Sequence, residues 1–65
     1  MNFKGADLEG ADFENANLKG AVFVGANLTA TNFKGANLEN AVFSVEDIEK
    51  VRLDNSQRES IILKF

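Results

Sequence analysis

Large apolar residues recur at every fifth position over residues 1–45. Phe or Leu fills each of these positions without a miss, and from residue 6 onward Ala or Thr comes two positions earlier. Asn or Asp usually comes one position earlier, and Gly or Asn usually comes two positions later. The central residues of the nine units are Phe3, Leu8, Phe13, Leu18, Phe23, Leu28, Phe33, Leu38 and Phe43.

This spacing fits neither regular helix nor regular strand. A helix repeats its apolar face about every 3.6 residues and a strand about every 2. A spacing of five would place successive Phe and Leu side chains about 140° apart on a helix, so no apolar stripe would form. The chain must therefore turn once per unit, and Gly or Asn after the central residue suits a left-handed turn position.

The pattern Ala-(Asp/Asn)-(Leu/Phe)-x-x resembles the pentapeptide-repeat family over residues 1 to about 45. Within the chain, the sequence alone establishes periods of five and ten. The resemblance implies an all-β fold, a short right-handed quadrilateral β-helix with four units and twenty residues per coil. Residues 1–44 would form about two coils, with Phe3, Phe23 and Phe43 stacked on one inner wall and Phe13 over Phe33 on the opposite wall.

The remaining residues, 45–65, are predicted to form a C-terminal capping helix and tail. Ser44 looks like a helix N-cap, and the apolar spacing predicts a helix over 45–53. A polar break is expected at 54–57 and a strand or extended apolar arm at 60–65. The residues predicted to cover the open end of the coil stack, or to form an interface, are Ile48, Val51, Ile61, Ile62 and Phe65.

Composition narrows the functional classes. The chain has 65 residues, no Cys and no His, and a net charge of −3. We expect no disulfide, no metal site, no cofactor and no direct nucleic-acid binding. Without His or a cleft we expect no catalytic residue and no enzyme activity. No signal peptide or membrane span is visible, so a cytoplasmic location is predicted.

Small size predicts self-association. Chains below about 70–80 residues rarely gain more than about 3–5 kcal/mol of folding stability from one core unless a disulfide, a metal or self-association adds to it. Neither a disulfide nor a metal is indicated here, and no segment comparable to the tail covers the N-terminal end. We therefore predict a homo-oligomer, most simply a twofold dimer.

An outward-facing apolar patch is the main departure from the repeat. Val22 and Val42 stand where Asn or Asp is usual, Val24 follows Phe23, and Val45 is near. Such a patch predicts a contact surface. Its occupant is the chain's own tail, a second subunit or a foreign protein.

The leading functional hypothesis is a non-catalytic structural or protein–protein interaction module that self-associates. The alternative is an acidic DNA mimic that binds a DNA-handling enzyme such as DNA gyrase, which the family resemblance suggests. Its acidic residues would lie on two adjacent walls of the first coil. They are Asp7, Glu9, Asp12 and Glu14.

Overall fold

A computed structural model describes all 65 residues, and its repeated part is held by pairing between residues twenty positions apart. The pairing consists of isolated parallel bridges rather than long strands. We call the four resulting series of bridges columns 1 to 4, in the order in which the chain passes through them. The bridges join Asn2 to Val22 and Val22 to Val42 in column 1, Asp7 to Asn27 in column 2, Asp12 to Asn32 in column 3, and Asn17 to Asn37 in column 4.

The backbone hydrogen bonds follow one rule in every column. The N–H of Phe3 donates to the C=O of Val22 at 2.7 Å, and the N–H of Val22 donates to the C=O of Met1 at 2.9 Å. The residue before each central Phe or Leu therefore directs both its N–H and its C=O toward the preceding coil. This rule defines which groups lie open at each end of the stack.

Each unit turns as its sequence predicts. The N–H of Ala6 donates to the C=O of Phe3 at 3.0 Å, which closes the turn. The Oδ1 of Asn2 accepts from the N–H of Lys4 at 3.0 Å, and this local bond explains why Asn or Asp precedes the central residue. The residue two after the centre is left-handed, with φ of 73° at Gly20 and 58° at Ala30. Ala30 adopts this conformation despite its Cβ.

The core is a single cluster of eleven buried apolar residues. Phe23 stacks on Phe43 at a ring-centroid distance of 4.9 Å and on Phe3 at 5.2 Å. On the other side of the interior, Phe13 stacks on Phe33 at 5.6 Å. Phe23 and Phe33 meet edge to face at 5.5 Å. The prediction that Phe residues twenty positions apart stack on one another is confirmed.

The helix expected over 45–53 is wrong in position. Only one turn of 3₁₀ helix forms there, Ile48–Lys50, and its N-cap is Asp47 rather than Ser44. The α-helix of the chain, α1, is Asn55–Ser60, which overlaps the expected polar break. Asp54 and Gln57 form a capping box at its start, in which each side chain bonds the other residue's backbone N–H. This reciprocal bonding offsets the weak helix propensity of the polar segment.

The expected strand near the C-terminus is confirmed. Strand β1, Val42–Ser44, pairs in parallel with β2, Ile62–Lys64, and Val42 lies opposite Ile62. The separation is again twenty residues, so β2 adds a fourth member to column 1. The chain extends over 24 × 23 × 21 Å, and no helix in it has the length and apolar character needed to cross a lipid bilayer.

Candidate interaction surfaces

The valine patch lies on column 1 and is longer than the sequence indicates. Val22, Val42 and Ile62 follow one another along the column, because Ile62 pairs beside Val42. The two valines are half-buried and Ile62 is 47% exposed. Val24 and Val45 are also half-buried. The tail therefore lies beside this patch as its next member, and its use as a binding surface stays a prediction.

The residues predicted to cover the end of the stack separate into two groups. Val51 is 3% exposed and belongs to the core cluster, and Ile48 and Ile61 pack against that cluster. Ile62 and Phe65 do not cover the core, since both are exposed and Phe65 is fully so. The reason is the pairing of β2, which places Ile62 on the outer face of column 1.

Gln57 is a structural residue that the sequence reasoning missed. Its side chain is buried, and its Nε2 donates to the C=O of Ala36 at 3.0 Å and of Phe33 at 2.8 Å. In the regular coils the C=O of Ala16 accepts from the backbone N–H of Asn37, twenty-one residues later. Residue 57 stands in the same relation to Ala36, so the Gln57 amide takes the place of a backbone donor. The Asp-x-x-Gln capping box was the signal available in the sequence.

The two ends of the stack differ in how well their interior is covered. In the first coil, Phe3, Leu8 and Phe13 are half-buried, whereas Leu18 of column 4 is 2% exposed. The corresponding residues of the second coil are at most 3% exposed, namely Phe23, Leu28 and Phe33. The N-terminal coil therefore presents apolar interior side chains at its open face.

The same N-terminal coil carries open backbone groups. By the hydrogen-bonding rule above, the N–H and C=O of the residues that begin its four columns point away from the second coil. No backbone bond is made by the N–H groups of these residues, which are Asn2, Asp7, Asp12 and Asn17. This face is thus an unpaired β edge on all four columns, a type of surface that favours pairing with another chain.

Charge varies around the N-terminal coil. Column 1 carries Lys4 and column 4 carries Lys19, whereas columns 2 and 3 each carry two acids. The four acids named from the sequence are thereby placed on two neighbouring columns. Side chains on adjacent coils come within hydrogen-bonding distance of one another. For example, the Nδ2 of Asn27 lies 3.4 Å from the Oδ1 of Asp7. Charge on the first coil is therefore close enough to act on anything stacked against it.

An open groove lies between the second coil and the tail. It has a volume of about 660 Å³ and is lined on the coil side by residues 30–35. Its charged lining residues are Lys34, Lys50, Arg52 and Asp54. The Asp54 carboxylate already accepts the Gln57 N–H, so it is engaged in the helix cap.

Comparison with known proteins bears directly on the repeated part of the chain. A profile described as pentapeptide repeats matches residues 6–44 in eight copies. A search of curated proteins and a search of solved structures each found no match. The matched segment covers more than half of the chain and coincides with the twenty-residue pairing described above. The chain belongs to the pentapeptide-repeat family.

Proposed function

We propose that this protein is a non-catalytic interaction module that self-associates through the open face of its N-terminal coil. Proteins of this family are generally structural modules, which supports the non-catalytic part. The observation that carries the self-association part is the unequal cover of the two ends. At one end Phe3, Leu8 and Phe13 are only partly buried, and at the other end Val51 and Gln57 are buried.

The proposal also covers the shape of the coil stack and the role of the tail. Four columns per twenty residues fit a quadrilateral, right-handed β-helix of the kind the family implies. Residues 45–65 then act as its C-terminal cap, with Val51 closing the core and Gln57 donating to the carbonyls of Phe33 and Ala36. A stack capped at one end has one remaining end at which another chain can add.

Energetics favour covering the open end. Burying apolar surface contributes about 25 cal/mol per Å², and a chain of 65 residues has little stability to spare. A second copy placed over Phe3, Leu8 and Phe13 would bury these side chains on both molecules. Self-association therefore adds to fold stability as well as forming an interface.

The structure supports the DNA-mimic alternative less well than it supports self-association. Four acids do lie together on columns 2 and 3 of the first coil. The extents of 24 × 23 × 21 Å describe a nearly isometric molecule rather than a rod, and a groove decoy needs length. The function of this chain is better explained by the apolar face than by the acidic columns.

The test is molar mass by light scattering across a concentration series, with circular dichroism on the same samples. We expect a mass of twice 7.1 kDa at high concentration that falls on dilution, together with a loss of β signal. A folded protein with the monomer mass at every concentration would refute self-association.

A further inference from the structure

We propose that the groove between the second coil and the tail binds an extended acidic peptide segment of another protein, which adds to column 3 as a strand. Three observations carry the proposal: column 3 loses its pairing at the groove, backbone groups of the second coil are open there, and the groove is lined mainly by cations. The groove lies on the opposite side of the second coil from the N-terminal face. Peptide binding and self-association are therefore separate properties, and each can fail alone.

Column 3 is paired only as far as the second coil. A bridge joins Asp12 to Asn32, but no bridge joins Asn32 to Arg52, which stands twenty positions later. The tail therefore passes over column 3 without pairing to it, and the groove of about 660 Å³ lies between the two. This volume is within the range of about 300–1,000 Å³ that is typical of ligand sites.

The loss of pairing leaves three backbone groups of the second coil open toward the groove. In the first coil, the C=O of Ala11 accepts from the N–H of Asn32 at 2.9 Å. The N–H groups of Phe13 and Asn15 donate to the second coil at 2.8 and 2.9 Å. The equivalent groups twenty positions later make no backbone hydrogen bond, and they are the C=O of Thr31 and the N–H groups of Phe33 and Gly35.

The pattern of these open groups favours a peptide over a small anion. Thr31 is 7% exposed and Phe33 is 1% exposed, and buried backbone groups in proteins are nearly always paired. An extended segment offers both N–H and C=O groups at the spacing that a third paired coil would have, so it satisfies all three. A phosphate or a carboxylate offers acceptors alone and leaves the C=O of Thr31 without a donor.

Charge indicates that the segment is acidic. The groove is lined by Lys34 on the coil side and by Lys50 and Arg52 on the tail side, in a chain whose net charge is −3. Asp54 is the one acid among the lining residues, and its carboxylate already accepts a hydrogen bond within the helix cap. Glu or Asp side chains in the groove would therefore meet three cations and one acid that is already engaged.

The structure also indicates where the acidic residues of the segment lie. Outward side chains of one column come together on adjacent coils, since the Nδ2 of Asn32 lies 3.3 Å from the Oδ1 of Asp12. Acidic residues at the two outward positions of an added strand would lie beside column 3 and its Lys34, which is a favourable pairing. Leu53 lines the groove and already packs against the core cluster, so the inward position between them suits a small residue. The expected pattern is acidic, small, acidic.

The experiment titrates the whole chain with the peptide Gly-Glu-Ala-Glu-Gly, acetylated and amidated at its ends, and follows the backbone amides by NMR. We expect the amide protons of Phe33 and Gly35 to shift downfield and to saturate, with half-saturation at or below about 1 mM, which corresponds to a weak complex. The amides of Phe13 and Asn15 already donate to the second coil and should not move. Absence of a saturable shift at Phe33 and Gly35 would overturn the proposal.

Variants of the groove test the role of charge. K34Q/R52Q should bind the peptide about tenfold more weakly, because two attractive ion pairs are lost. Asp54→Asn should bind it about threefold more tightly, since it removes the one acid and keeps an oxygen that can cap the helix. The matched control K4Q/K19Q makes the same change in charge as K34Q/R52Q on the first coil and should bind like the parent. Equal weakening in this control would overturn the site in favour of general charge attraction. Circular dichroism checks the fold of each variant.

Changes to the peptide test strand addition. Methylation of the backbone nitrogen of its first Glu removes the donor for the C=O of Thr31, and we expect it to weaken binding at least about tenfold. Inorganic pyrophosphate, which carries negative charge but no donor pattern, should not reproduce the shifts at Phe33 and Gly35. Equal binding of the methylated peptide, together with the same shifts from pyrophosphate, would overturn strand addition and make the groove a small-anion site. Light scattering on the same samples reports self-association independently.

Discussion

Ala30 offers the sharpest test of the turn geometry. It occupies the position where most units have Gly or Asn, and its φ is 58°. A left-handed conformation costs a residue with a Cβ about 1–2 kcal/mol. The residue is exposed, so Ala30→Gly removes no buried contact. Gly also adds about 0.4–1 kcal/mol of unfolded-state entropy, which offsets part of the gain.

The expected net effect of Ala30→Gly is a rise of about 1 kcal/mol in the free energy of unfolding. For a domain of this size, that corresponds to a rise in Tm of about 4–8 °C. The assay is urea and thermal unfolding followed by circular dichroism. All samples are compared at one protein concentration, because self-association would otherwise change the apparent stability.

Gly20→Ala is the matched reverse change. Gly20 holds the same position in its unit with φ of 73°, and a Cβ added there would meet no atom within 4 Å. Only backbone strain is introduced, so we expect a loss of about 1 kcal/mol. The double variant should return close to the parental stability, since distant substitutions are additive.

Gly35→Ala extends the series to a crowded position. A Cβ at Gly35 would contact the side chain of Asn15 on the coil before it, in addition to straining the backbone. Asn15 is exposed and its amide can rotate away, so we expect a loss close to that at Gly20. A fall in stability on Ala30→Gly, or no loss at Gly20 and Gly35, would refute the reasoning from turn geometry.

Three further changes test the cap, the interior and the valine patch. Gln57→Ala should lower the free energy of unfolding by about 1–3 kcal/mol, because the buried C=O of Ala36 loses its donor, and Gln57→Glu should restore none of it. Thr31→Val should lower the free energy of unfolding by about 1 kcal/mol, because the Thr31 hydroxyl donates to the C=O of Leu8 at 2.9 Å. Chemical denaturation measures the stability of the Gln57 and Thr31 variants, and an unchanged midpoint would contradict the corresponding prediction. Val42→Asn should change the free energy of unfolding by less than about 1 kcal/mol. It should leave the dimer intact by light scattering, because the valine patch lies away from the N-terminal face. A drop in molar mass would instead place the interface at the valines.

Much of the repeated region could be predicted from residue order alone. The five-residue spacing requires one turn per unit, and it divides inward Phe, Leu and Ala from outward polar residues. Asn2 and its equivalents show why the turns follow from the sequence, because the side chain of each accepts a hydrogen bond from the backbone of the turn that follows it. These interactions lie within a few residues of one another, so the sequence pattern contains them in full.

The candidate surfaces were predictable only in part. Val22 and Val42 stand out in the sequence because they break a repeated polar position, and the acids of columns 2 and 3 follow from the same register. The place of Ile62 beside Val42 was not predictable, because it requires the irregular segment between them to span one full coil. Phe65 looks like a core residue by composition, yet it lies fully exposed beyond the last strand.

Local pattern by itself determined the repeat, its turns and the identity of its inward residues, because each unit repeats the same short-range bonds. The tertiary structure decided the path of the tail. The six-residue helix Asn55–Ser60 is too short to be stable from propensity alone, and Gln57 is held by carbonyls of Phe33 and Ala36 more than twenty residues earlier. Those partners become available only after the coils have formed, and that order of dependence is why a polar segment becomes part of the closed end of the stack.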